Sequence, residues 1–179
     1  MVLIIIGDNA AGKTTLSDYL EKEYGFLIVD MGNFVRMNYE LYKKKDELLS
    51  EYAQRIVDTD EIVKINKEAV SYARKHCIPF IAFCGIRTLS AIRLITNEYS
   101  NVKIVKIECS LQNRRKRYFK QKKDNVSFDK RNAQEFIWMK QIYSNIQIDY
   151  IINNDSDKTI FLQKAKELID SLINKERSS

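Results

Sequence analysis

Val2–Ile6 is an unbroken run of branched apolar residues, and Gly7-Asp8-Asn9-Ala10-Ala11-Gly12-Lys13-Thr14 follows it directly. Beyond Thr14, the apolar residues Leu16, Tyr19, Leu20 and Tyr24 recur at spacings of three and four. The first run predicts a strand buried on both faces, and the second pattern predicts a helix from Lys13 to Tyr24 that Gly25 ends. This succession constrains the fold strongly. A strand hidden on both faces needs a parallel sheet with helices on each side.

The rest of the chain repeats the alternation. Strands are expected at 26–29 (FLIV), 78–83 (IPFIAF), 102–109 (VKIVKIEC) and 149–153 (DYIIN). Helices are expected over most of 33–75, at 90–99, at 128–146 and at 158–174, with a strongly basic segment at 111–123. Strands separated by helical patterns predict a three-layer α/β/α domain around a mostly parallel, five-stranded sheet. No linker, repeat or low-complexity segment interrupts the 179 residues, so one domain is expected.

The segment from Gly7 to Thr14 fits G-x-x-x-x-G-K-[ST], between the strand and the helix that this pattern requires. Glycines let successive backbone N–H groups converge on an anion, and the following helix adds its positive end. In such a loop the lysine reaches the β- and γ-phosphates of a nucleotide, and the threonine hydroxyl can ligate Mg²⁺. Asp8, Asn9, Ala10, Ala11 and Thr15 complete the segment that would wrap the phosphates. Two later stretches end in arginine: DMGNFVR at 30–36 and FCGIR at 83–87. Each follows a predicted strand, and ligands of open α/β sheets bind beyond the carboxyl ends of strands. Arg36 and Arg87 are thereby expected at the same cleft, where a planar guanidinium can pair two oxygens of a second anion.

Composition excludes several other chemistries. One histidine, His76, argues against a histidine-based metal site or a Ser-His-Asp triad. Cys77, Cys84 and Cys109 have no metal-ligand spacing and read as reduced thiols. No apolar run approaches the ~20 residues that span a bilayer, and the apolar start lacks a basic region ahead of it. A cytoplasmic protein without membrane association, monomeric or homodimeric, is expected. The net charge of +6 suits an anionic partner without choosing among nucleotide, coenzyme and nucleic acid.

Taken together, GDNAAGKT, MGNFVR and CGIR resemble the P-loop kinases of the nucleoside monophosphate kinase type, which are adenylate kinase-like. The likeness extends nearly end to end to archaeal nucleotide-kinase-like proteins related to dephospho-coenzyme A kinase, through GIRTLSAIRLI, RRKRYFKQKKD and IDYIINND. It implies a P-loop NTPase fold with a helical acceptor-binding insertion at about 33–75 and a short basic lid at about 112–135. It implies that Gly7, Gly12, Lys13 and Thr14 hold ATP and Mg²⁺. It implies that Asn33, Arg36 and Arg87 meet a small-molecule phosphate acceptor, and that Arg114, Arg117 and Arg131 belong to the lid. Asn154, within Asn153-Asn154-Asp155, is implied to approach the donor base. Lys13, Arg87, Arg114 and Arg117 would be the catalytic set.

Three positions depart from that pattern. Ala10 stands where many small-molecule kinases have another glycine, and alanine disfavours a positive φ, so a tighter or differently curled loop is expected. Asn33 and Cys84 stand where relatives carry aspartates, the second of which helps to organise water around Mg²⁺. A buried thiol is neutral and cannot replace that charge, leaving Asp8 and Asp30 as the next acids. The basic stretch, with seven Lys or Arg residues at 114–123, has three readings: a cationic lid, a nucleic-acid surface with Tyr118 and Phe119 stacking on bases, or a solvated helical face. Helical spacing puts Arg114, Arg117 and Lys120 near one another. The expected activity is transfer of the γ-phosphoryl group of ATP or another nucleoside triphosphate. The acceptor would be a nucleoside or deoxynucleoside monophosphate, or dephospho-coenzyme A. The rival is a nucleotide-dependent binding protein or NTPase switch acting with RNA or DNA.

Overall fold

A computed structural model describes residues 1–122 and 125–178. The elements run β1 (Val2–Gly7), α1 (Lys13–Tyr24), β2 (Leu27–Asp30), α2 (Met31–Tyr42), α3 (Leu49–Ile56), α4 (Asp60–Lys75) and β3 (Ile81–Cys84). They continue α5 (Leu89–Glu98), β4 (Val102–Glu108), α6 (Leu111–Lys122), α7 (Asn125–Asn145), β5 (Tyr150–Asn153) and α8 (Lys158–Arg177). The five strands form one sheet in the order β2-β3-β1-β4-β5, and every pairing is parallel.

The unbroken apolar character of β1 follows from its central place. Val2, Ile4 and Ile6 point into a core shared with Ala69, Val70 and Ala73 of α4, Ala91, Ile92 and Ile95 of α5, and Met139 and Ile142 of α7. Leu3 and Ile5 point into the opposite core, with Leu16 and Leu20 of α1 and Phe161, Ala165 and Ile169 of α8. Each such side chain contributes about 1.5–3 kcal/mol relative to exposure, so β1 anchors both layers. A smaller cluster of Tyr52, Ile56, Ile62 and Ile65 joins α3 to α4 outside the main layers.

The helices expected over most of 33–75 are three, α2, α3 and α4. Lys43 is extended, Asp46 takes φ +61°, and Thr59 is extended ahead of α4. Asp60 and Glu61 occupy the first turn of α4, where negative charge suits the helix dipole. β3 begins at Ile81, not at 78, since Pro79 lacks the N–H a ladder needs and its carbonyl instead accepts from the Met1 ammonium at 2.9 Å. The basic segment is helical through Lys122; the part of the expected lid at 123–124 lies outside the described residues.

The order of the strands places the carboxyl end of β1 between those of β3 and β4. The strand order switches at β1, and open α/β sheets bind ligands beyond the carboxyl ends of the strands at such a switch, here beyond Gly7. The 7–14 segment follows β1 at that point. Asp30 and Cys84, at the ends of β2 and β3, are direct register partners.

Candidate functional site

Lys13 opens α1 and folds back over its own loop. Its Nζ donates to the carbonyl of Gly7 at 2.6 Å and to that of Asp8 at 2.8 Å. Loss of hydration is the largest influence on this ammonium and lowers its pKa below the ordinary lysine value. Glu135 opposes that shift most strongly and Arg87 adds to it, which places both charges near the lysine. Thr14 and Thr15 follow on the first turn of α1, Thr14 exposed and Thr15 half-buried.

The loop keeps its curl in spite of Ala10. That residue takes φ +59°, the left-handed conformation, at a strain of about 1–2 kcal/mol. Gly12 has a stricter requirement. Its φ is +115°, and a Cβ there would lie 2.2 Å from Asn154 Nδ2. Asn154 is buried after β5, and its Nδ2 donates to the Ala11 carbonyl at 2.7 Å. The asparagine therefore packs directly onto the phosphate loop.

Arg114 and Arg117 are not free cations on this chain. Arg114 is only 6% exposed, and its guanidinium reaches Asp8 at 3.3 Å, the Asn9 carbonyl at 3.3 Å and Asn132 Oδ1 at 2.7 Å. Its Nε donates to the Cys109 carbonyl at 3.3 Å. Arg117 donates to the Asn154 carbonyl at 2.7 Å and to Asn154 Oδ1 at 3.2 Å. Two arginines of α6 thus grip the loop directly and through Asn154. Tyr118 is buried with them, whereas Arg115, Lys116, Phe119 and Lys120 face outward, so Lys120 does not join the inward cluster. Arg131 is exposed on α7.

Asp30 ends β2 and caps α2, accepting from the Gly32 N–H at 2.9 Å and from Arg36 at 3.0 Å. Arg36 also donates to Asn33 Oδ1. Gly85, at φ +71°, makes room for this carboxylate: a Cβ there would meet Asp30 Oδ1 at 2.3 Å. Cys84, buried beside it, has its thiol pushed up to about 11, chiefly by burial and next by the Asp30 charge. It is therefore neutral at neutral pH.

Sequence reasoning missed Glu135 and Tyr143. Glu135 is 5% exposed on α7, and its carboxylate accepts from Arg87 Nη1 at 2.7 Å. Tyr143, two turns further along the same helix, donates to Asp8 Oδ1 at 3.2 Å. Their spacing of eight puts both on one helical face, but nothing in the sequence says which face meets the loop. Among the described residues, no group of three His, Cys, Asp or Glu side chains is arranged to hold a metal ion by itself. No described helix is long and apolar enough to cross a membrane.

The comparison with solved structures finds the same three-layer α/β/α fold, and two of the similar proteins are kinases. Shikimate kinase from Bacteroides thetaiotaomicron is similar over 96% of this chain and 98% of its own, with TM-score 0.64 and 13% identity. The Thermus thermophilus protein TT1252 matches over 96% of each chain, with TM-score 0.66 and 12% identity. A sugar kinase from Janibacter sp. HTCC2649 matches over 94% of each chain, with TM-score 0.59 and 13% identity. No family model and no curated protein matches the sequence.

Proposed function

We propose that this chain transfers the γ-phosphoryl group of ATP, or another nucleoside triphosphate, to a small-molecule acceptor. The observation that carries the reading is the convergence of Lys13, Arg87 and the curled 7–14 loop at the carboxyl end of β1. Phosphoryl transfer asks mainly for positioning and for cations around oxygens that gain charge, and this site offers both. The loop N–H groups and Lys13 would hold the donor. Arg36, Asn33 and Arg87 would meet the acceptor beyond the ends of β2 and β3. The α6–α7 segment would close over the reaction and exclude water, which otherwise competes as acceptor.

Mg²⁺ fits this arrangement without a dedicated cage. Mg²⁺ keeps several waters and takes few protein ligands beside nucleotide phosphates, so the exposed Thr14 hydroxyl is its natural protein contact. Asp8 and Asp30 are the acids at hand for its water shell. Bound there, the ion would neutralise charge on the phosphoryl oxygens.

The resemblance to nucleotide kinases favours a nucleoside or deoxynucleoside monophosphate, or dephospho-coenzyme A, as acceptor. The similar solved structures add shikimate and simple sugars to the compounds worth testing. An acceptor panel with ADP release as the readout decides: one compound should raise ADP production at least about a hundredfold over the acceptor-free rate, and a flat panel would count against a kinase.

A second reading has its own support. The outward row of Arg115, Lys116, Phe119 and Lys120 joins cations to an exposed aromatic ring, which suits a nucleotide-dependent protein acting on RNA or DNA. That reading predicts retention on nucleic acid that falls steeply with salt.

A further inference from the structure

Glu135 is out of place in a site that holds phosphate. Its carboxylate is nearly dry, lies 2.7 Å from Arg87 and is the strongest favourable charge acting on Lys13. Under the proposed function, those two cations hold the transferring phosphoryl group. The Glu135 carboxylate and a phosphoryl group cannot both sit against the Arg87 guanidinium, because like charges a few ångströms apart with little water repel strongly. Arg87 itself is 40% exposed along its side chain and lies with its guanidinium 5.5 Å from the centre of the Trp138 ring. Trp138 is one turn beyond Glu135 on α7. The arginine thus has a defined resting place, built wholly from α7, and open space to leave it.

We propose that Glu135 is a positioning residue, an internal anion that holds Arg87 on α7 until a γ-phosphate displaces it. Arg87 then exchanges Glu135 and the face of Trp138 for the phosphoryl oxygens, and α7 loses its tie to Arg87. The Glu135–Trp138 turn of α7 would thereby sense the third phosphate of the donor rather than the nucleoside. The inference rests on the proposed phosphotransferase reading and goes beyond it by assigning the sensor.

Trp138 is the one tryptophan in the chain, so its emission reports the departure of Arg87 without any label. ADP, ATP and a non-hydrolysable ATP analogue are titrated with Mg²⁺ into the parent and into Glu135→Gln, following both heat and Trp138 emission. The triphosphates should shift the emission of the parent and ADP should leave it unchanged. Glu135→Gln should bind the triphosphates about tenfold more tightly than the parent, with ADP affinity the same in both, since one opposing charge has been removed. Equal or weaker triphosphate binding by the variant would overturn the proposal, as would a parent emission that responds alike to ADP and ATP. If Glu135→Gln does not fold, Glu135→Asp withdraws the carboxylate by one methylene, and the emission contrast in the parent decides without any substitution. A parent that binds neither nucleotide overturns the phosphate-loop reading itself, whereas γ-independent binding overturns this inference alone.

Discussion

Gly12 and Asn154 are in contact across 142 residues of chain: the space a Cβ on Gly12 would need is taken by the side-chain amide that secures the Ala11 carbonyl. Gly12→Ala therefore meets two obstacles, a φ of +115° and a backbone-facing amide at 2.2 Å. It should lower stability by about 2–4 kcal/mol, from conformational strain of about 1–2 kcal/mol plus the displaced contact. Adding Asn154→Ala should recover only part of the loss, since the strain at φ remains. Urea unfolding of the three variants measures this, and full recovery in the double variant would show that φ matters little.

Arg114 ties α6 to the loop through Asp8 and Asn9 and to α7 through Asn132. Removing one partner of a buried pair leaves the others unpaired, but Asp8 retains 38% side-chain exposure and can be rehydrated. Arg114→Ala should accordingly cost about 1–3 kcal/mol, and Arg114→Lys nearly as much, because an ammonium cannot span the three partners as a guanidinium does. An unchanged urea midpoint would mean that this contact is not maintained in solution.

How much of this was legible in the sequence depends on how local each signal is. β1, the loop and α1 are contiguous, and glycine spacing with apolar periodicity describes all three. The parallel sheet follows from the same alternation, whereas its strand order does not. The helix breaks near Asp46 and Thr59 were hidden because neither glycine nor proline marks them. The pairing of Arg87 with Glu135 spans 48 residues and depends on which face of α7 packs inward. The inward turn of Arg114 and the outward turn of Lys120 have the same origin: a run of like residues carries no hydrophobic contrast to show its buried side.

The Cys84 thiol should shape alkaline stability. Its pKa rises from an ordinary 9.0 to about 11 in the fold, mainly through burial. The neutral form is thus favoured in the native state. The associated stability is fully present below about pH 9 and is lost as the pH climbs toward 11, when the unfolded chain releases the proton first. Two units correspond to about 2–3 kcal/mol. Comparing urea midpoints of the parent and Cys84→Ser across that range isolates the effect from the tyrosines. The parent should lose more stability than the variant, and parallel curves would show that the thiol is not desolvated.

The central claim is that the 7–14 loop seats a triphosphate under Lys13, and calorimetric titration of ATP·Mg²⁺ into the parent and Lys13→Ala tests it most directly. The parent should bind, and the variant should bind at least about a hundredfold more weakly, the loss expected when one well-placed cation is removed from a dry site. Circular dichroism would show both proteins folded, since Lys13 holds only carbonyls of its own loop. Equal affinity in the two proteins, or no binding by a folded parent, would contradict the account.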